Sequence, residues 1–133
     1  MTRPTRVFTE SAPRPIGPYA QAVLAGEVVF CAGQVGLDPA SGRLVTGGMA
    51  AEAARALENL AAVLAAVGLD LAAVVKTTVY VVDLAEAAVL NEVYGRYFPP
   101  PHPARAMVQV AALPAGARVE IDAIAVRPGL GSR

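Results

Sequence analysis

Apolar positions recur along this chain at two different periods, and the period changes mark out its elements. From Met49 to Val67, Ala53, Leu57, Leu60, Leu64 and Val67 fall at helical spacing, with Glu52, Arg55 and Glu58 off that stripe. This predicts an amphipathic helix, and Gly68 supplies its C-terminal stop. A second helix is predicted from Leu84 to Tyr97, with Asp83 as N-cap and Leu90, Val93, Tyr94 and Tyr97 in its apolar stripe. The proline run Pro99–Pro103 ends it. Asp70 is placed to cap a short turn between these helices.

Strand patterns fill most of the remainder. Val74–Val82 is dense in β-branched residues, and Pro103–Val110 and Val119–Ala125 are bounded by turn residues. Arg6–Thr9 is a short candidate, and Tyr19–Ala25 with Glu27–Cys31 reads as a hairpin turning at Ala25-Gly26. Ser11–Pro18 holds three prolines and a glycine and is an extended loop; Asp38–Gly42 is a turn. Strands interleaved with helices indicate an α+β or α/β fold on one sheet. Two helices of this length cover one face only, so the other face meets water or another subunit. At 133 residues the whole chain forms one domain, with Pro128–Arg133 expected to be a disordered tail.

Composition narrows the partners. Apolar residues make up 55% of the chain, a surplus that favours subunit burial, although much of it is Ala. Lys+Arg and Asp+Glu are equal at 11 each, and no basic run is present to neutralise phosphates, so nucleic acid is not an expected partner. A single cysteine, Cys31, leaves no internal disulfide. No segment has the pattern of a signal peptide or the length to span a bilayer, so no membrane partner and a soluble cytoplasmic protein are expected.

The candidate chemistry is sparse. Arg105 stands at a strand start and Glu120 within an otherwise apolar strand, and both are costly to bury without partners. Arg is shaped to grip a carboxylate through two parallel hydrogen bonds, so Arg105 is read as holding a small acid and Glu120 as positioning a water. The alternative for both is structural ion pairing. Gly33 and Gly36 lack the lysine and the spacing of a phosphate loop and instead suggest close backbone approach. His102 is the only histidine, so neither a Ser/His/Asp triad nor a His-based metal site fits within one chain; a plain surface role is expected for it. Cys31 reads as a buried inert thiol, Asn91 as a solvent-facing or locally bonded amide, and Lys76 as a sheet-edge or rim lysine rather than a Schiff-base former. Tyr19 follows the rigid loop and either packs or aims its hydroxyl into a cleft.

Seven motifs then coincide, in order, with one family. Ile16-Gly17-Pro18-Tyr19, Ala32-Gly33-Gln34, Asp38-Pro39-Ala40-Ser41-Gly42, Lys76–Tyr80, Asn91–Tyr94, Pro103-Ala104-Arg105 and Val119–Ala125 make the chain resemble the Rid (YjgF) family of reactive-intermediate deaminases. The resemblance implies a chorismate-mutase-like α+β fold: a mixed sheet with the last strand inserted in its middle, two helices on one face, and a homotrimer with clefts between subunits. It also implies hydrolysis of 2-imino and 2-enamino acids, such as iminobutanoate and aminoacrylate, to 2-keto acids and ammonia, without a cofactor or metal. Arg105 would bind the substrate carboxylate and Glu120 would hold the attacking water. Tyr19 and Asn91 would line the cleft, and Gly33 would let substrate approach the backbone.

Two residues depart from the pattern of many deaminating members: Ala32 replaces a serine, and Met107 replaces a cysteine. The first removes a hydroxyl worth about tenfold in rate if it makes one ~1.4 kcal/mol hydrogen bond. The second is tolerable if it only fills space. The Pro99–Pro103 loop also looks shorter than in some relatives, which would reshape the cleft mouth. A non-catalytic binder of small carboxylates is the alternative reading, and an RNA-directed or chaperone-like role is a third.

Overall fold

A computed structural model of the chain describes residues 3–128; most of the expected tail, residues 129–133, lies outside the described residues. Six strands are formed among the described residues: β1 (Thr5–Val7), β2 (Ala22–Ala25), β3 (Val28–Val35), β4 (Val74–Val81), β5 (Ala104–Gln109) and β6 (Val119–Val126). Two helices, α1 (Gly48–Ala65) and α2 (Ala87–Tyr97), separate β3 from β4 and β4 from β5. The strand order in the single sheet is β1-β2-β3-β6-β4-β5. Thus the last strand sits in the middle, antiparallel to β3 and β4, while β4 and β5 run parallel. This is the α+β architecture that the resemblance implies.

Alternation along β6 assigns the two faces. Val119, Ile121, Ala123 and Ala125 are buried beneath the helices, with Leu57, Leu60, Leu64, Leu90 and Val93 in the same core. Glu120, Asp122, Ile124 and Val126 point to the face that no helix covers. Phe30, Val108 and Val126 are exposed. By register, Lys76, Thr78 and Tyr80 lie opposite Ile124, Asp122 and Glu120 on that open face.

Several boundaries differ from the expected ones. The first hairpin turns at Gly26 (φ 61°) and Glu27, and β2 begins only at Ala22. Buried Gln21 explains the late start. Its amide donates to the carbonyls of Thr9 (3.0 Å) and Pro13 (2.9 Å), and its oxygen accepts from the Thr9 N–H (2.7 Å), fastening the proline loop instead of extending the strand. β3 runs past Cys31 to Val35, with one extra residue absorbed as a bulge between Cys31 and Gln34. Asp83 caps a 3₁₀ turn over Leu84–Glu86, and α2 begins after it at Ala87.

Glu52 is a correction. Helical spacing puts it off the apolar stripe, yet it is 3% exposed. Its carboxylate accepts the Arg118 N–H at 2.7 Å, and the Arg118 guanidinium bridges to Glu86 at 3.2 Å. The backbone of Glu52 also lies where a side chain on Gly36 would go, 2.7 Å from such a carbon. One turn of α1 therefore holds the end of β3 and the start of β6 together.

Candidate functional site

Parallel pairing sets Arg105 beside Thr77 and Met107 beside Val79, on the helix-covered side of β5. β5 is an edge strand, so the Arg105 side chain projects past the core onto α2. Its Nη1 donates to Asn91 Oδ1 at 2.8 Å, and its guanidinium lies 4.8 Å from the centre of the Tyr94 ring. Tyr94 is held in turn by a 2.7 Å hydrogen bond between its hydroxyl and the buried Thr77 hydroxyl. No carboxylate pairs with Arg105 among the described residues. Asn91, Tyr94, Gly95, His102, Pro103 and Arg105 line a cavity of about 390 Å³.

Glu120 lies on the opposite face of the sheet. Its carboxyl packs into the space left by the missing side chain of Gly33, in the bulge of β3. Tyr19, Gln21, Gly33, Gln34 and Glu120 line a second cavity of about 60 Å³, enough for water. Half-burial pushes the Glu120 carboxyl above its usual range, and the nearby Asp122 charge adds to the rise. Asp122 is fixed by the Thr78 N–H (3.2 Å) and the Tyr80 hydroxyl (3.1 Å). Tyr80 is raised as well, by burial first and then by Asp122. No side chain among the described residues hydrogen-bonds to the Glu120 carboxyl, so it is open to a water or a substrate.

The sequence-derived set thus divides in two. Asn91 and Arg105 meet on α2 and β5; Tyr19, Gly33 and Glu120 meet around the bulge of β3. Within one chain the sheet lies between the groups, so Arg105 and Glu120 cannot grip one small molecule together. The neighbour of Gly33 also differs from the expected one: its bare backbone accommodates Glu120.

The remaining candidates resolve simply. Cys31 is buried, and its thiol is pushed up to about 12 by burial and by Asp122, so it is no nucleophile at neutral pH. Lys76 lies on interior strand β4, not at an edge, and donates to Thr78 Oγ1 at 3.0 Å on the open face. Met107 packs against the core and fills space. Tyr94, Tyr80 and Asp122 were not singled out for chemistry. Tyr94 carried a usable signal, sitting three residues after Asn91 and so on the same helix face.

The family model for Endoribonuclease L-PSP matches residues 9–127. The chain belongs to that family, the Rid (YjgF) family which its motifs resemble. It is 50% identical to human 2-iminobutanoate/2-iminopropanoate deaminase, over 91% of this chain and 88% of that one. It is 55% identical to protein DfrA of Myxococcus xanthus, over 90% and 93% of the two chains. Among solved structures, RidA from an Antarctic Psychrobacter superposes with a TM-score of 0.89 at 44% identity, covering 92% of this chain and 98% of that one. Escherichia coli TdcF, solved with bound serine, gives 0.88 at 40% identity, with 92% and 98% covered. No helix among the described residues is long and apolar enough to cross a membrane.

Proposed function

We propose that this protein hydrolyses 2-imino acids to 2-keto acids and ammonia at sites assembled between copies of the chain in a homotrimer. The carrying observation is the division of the site. A guanidinium without an acid partner borders one cavity, and a carboxyl without a hydrogen-bond partner borders another, on opposite faces of one sheet. A second copy that brings its Glu120 group against the Arg105 group of the first completes both. The uncovered sheet face, with Phe30, Val108 and Val126 exposed, is the surface such an assembly buries. About 50% identity to curated imine deaminases supports the reaction class.

The residues then take definite roles. Arg105, fixed by Asn91 and the Tyr94 ring, clamps the substrate carboxylate through its remaining N–H donors. The protonated imine carbon is already electrophilic. Water held at Glu120 gives a proton to the carboxylate and adds to that carbon, breaking the C=N π bond. Glu120 then passes that proton to nitrogen and takes the proton of the new hydroxyl as the C–N bond breaks, so the C=O of the 2-keto acid forms, ammonia leaves, and the last proton goes to ammonia or solvent. A carboxyl whose affinity for protons is raised, as burial and Asp122 raise that of Glu120, suits both transfers. Tyr19 closes the water side, and the clamp and the held water together provide orientation. A 2-enamino acid enters after protonation at C3 makes it the imine. The cytoplasm, where pyridoxal-phosphate enzymes release such imines, is the compartment this reading favours.

The test is release of 2-ketobutanoate and ammonia from freshly generated 2-iminobutanoate. Wild type is expected to accelerate it, and Arg105→Ala to lose about 100-fold while keeping the assembly. A wild-type rate equal to buffer overturns the reading.

A further inference from the structure

The cavity beside Arg105 continues along α2, away from Asn91, to Gly95 and His102. We infer that this extension is a second anion-receptive subsite, in which His102 takes a carboxylate at the end of the substrate side chain, so that 2-imino dicarboxylates are substrates of this protein. The inference rests on Arg105 being the clamp for the 2-imino acid carboxylate.

Three observations carry it. His102 Nδ1 lies 2.9 Å from the Phe98 carbonyl oxygen, which can only accept, so Nδ1 carries a hydrogen whatever the charge of the ring. Nε2 is then the nitrogen that gains or loses a proton, on a ring tethered at the rim of the cavity. Next, no acid among the described residues lines this cavity: its polar side chains are the guanidinium of Arg105, the amide of Asn91 and the imidazole of His102, with the Tyr94 ring beside them. Last, Gly95 sits one turn after Asn91 in α2, and a side-chain carbon added there meets nothing within 4 Å. A mid-helix glycine weakens a helix relative to Ala. Here no neighbour requires one, and its effect is to leave the wall beside His102 low.

The chemistry follows from charge. Within one copy the titratable and charged groups lining the cavity with His102 are Arg105 from β5 and Tyr94 from α2; in the assembly Glu120 of a second copy adjoins Arg105. A substrate whose first carboxylate neutralises Arg105 and whose second reaches Nε2 draws a proton onto the ring and forms a charge-assisted hydrogen bond. A two-carbon side chain such as that of iminobutanoate leaves the subsite to water. His102, expected at the surface, is in this reading a specificity-determining residue.

The experiment compares wild type, His102→Phe and Gly95→Leu on 2-iminobutanoate, 2-iminosuccinate and 2-iminoglutarate generated in situ. Phe keeps the ring volume without Nε2, and Leu fills open space on the helix. Each substitution is expected to lower the ratio of kcat/KM for dicarboxylate over monocarboxylate about tenfold. Calorimetric binding of 2-ketoglutarate and 2-ketobutanoate reads the same preference without turnover. If wild type hydrolyses iminobutanoate but neither processes nor binds the dicarboxylates, or if both variants leave the ratio within twofold, the subsite is refuted and the deaminase reading stands. If wild type hydrolyses no imine yet prefers 2-ketoglutarate through His102, the deaminase reading fails and the subsite stands.

Discussion

Gly33→Ala separates catalysis from stability at one atom. The added carbon would overlap a Glu120 carboxyl oxygen and lie 2.8 Å from the carboxyl carbon and 3.0 Å from Cγ. Ordinary contact begins near ~3.2 Å for carbon–oxygen and ~3.5 Å for carbon–carbon, and the overlapping oxygen sets the limit, so the carboxyl has to retreat by roughly 1 Å or swing to another rotamer. It is the end of a flexible, half-buried side chain and can do so. Gly33 does not require the left-handed backbone region that strains alanine, so the fold should lose less than about 1 kcal/mol. The water held by Glu120 moves with it. Displacements near 1 Å cost up to ~100-fold in rate, so kcat is expected to fall about 10- to 100-fold, or about 1.4–2.7 kcal/mol in the barrier. KM for iminobutanoate should change little, because the substrate carboxylate is held by Arg105 of the other copy and not by Glu120. Initial rates of keto-acid release, with thermal melts on the same samples, give both quantities. A variant within twofold of wild-type kcat would show that the position of Glu120 does not limit the reaction.

Other outcomes follow from neighbouring contacts. Asp122→Asn keeps an oxygen to accept the Thr78 N–H, turns its Nδ2 into a donor toward the Tyr80 oxygen, and removes a charge that raises Glu120. Because Glu120 must be ionised to accept a proton from water, the acid limb of the pH–rate profile should move to lower pH; an unmoved limb would exclude Glu120 as the base. The same raised affinity means that ionised Glu120 weakens the fold, by an amount that grows as pH rises from the ordinary carboxylate range through the raised value of the folded state. Glu120→Gln should therefore melt higher than wild type at neutral pH and lose that advantage below the ordinary range. Tyr94→Phe removes the buried hydrogen bond to Thr77 but keeps the ring under Arg105; about 1 kcal/mol of stability should be lost in denaturant unfolding, with kcat/KM within threefold. Ala32→Ser restores a hydroxyl beside the bulge and is expected to raise kcat/KM by up to about tenfold; no gain would mean that the hydroxyl does not reach substrate or water here.

Much of this arrangement could be read from residue patterns. Helical spacing located α1 and α2, and β-branched density located β4. The alternation Val119-Glu120-Ile121-Asp122-Ala123 already puts Glu120 and Asp122 out of phase with the core. The central place of β6 does not follow from periodicity, because pairing over that separation leaves no local trace; it came from the family resemblance. Facing along β5 was not readable either: Ala104, Ala106 and Val108 are as apolar as Met107, so nothing in the strand says on which side Arg105 falls. The partner of Gly33 is 87 positions away in the sequence, and only the fold reveals it. Glu52 misled because an acid on a helix normally faces water, whereas here a backbone N–H awaits it in the core.

The shared site can be tested by mixing two damaged chains. Arg105→Ala and Glu120→Gln are each expected to be nearly inactive alone. Co-refolded in equal amounts, they should regain about a quarter of the wild-type rate per site, since one site in four then draws Arg105 and Glu120 from the two intact sources. A mixture no more active than either variant alone would contradict a site built across two copies.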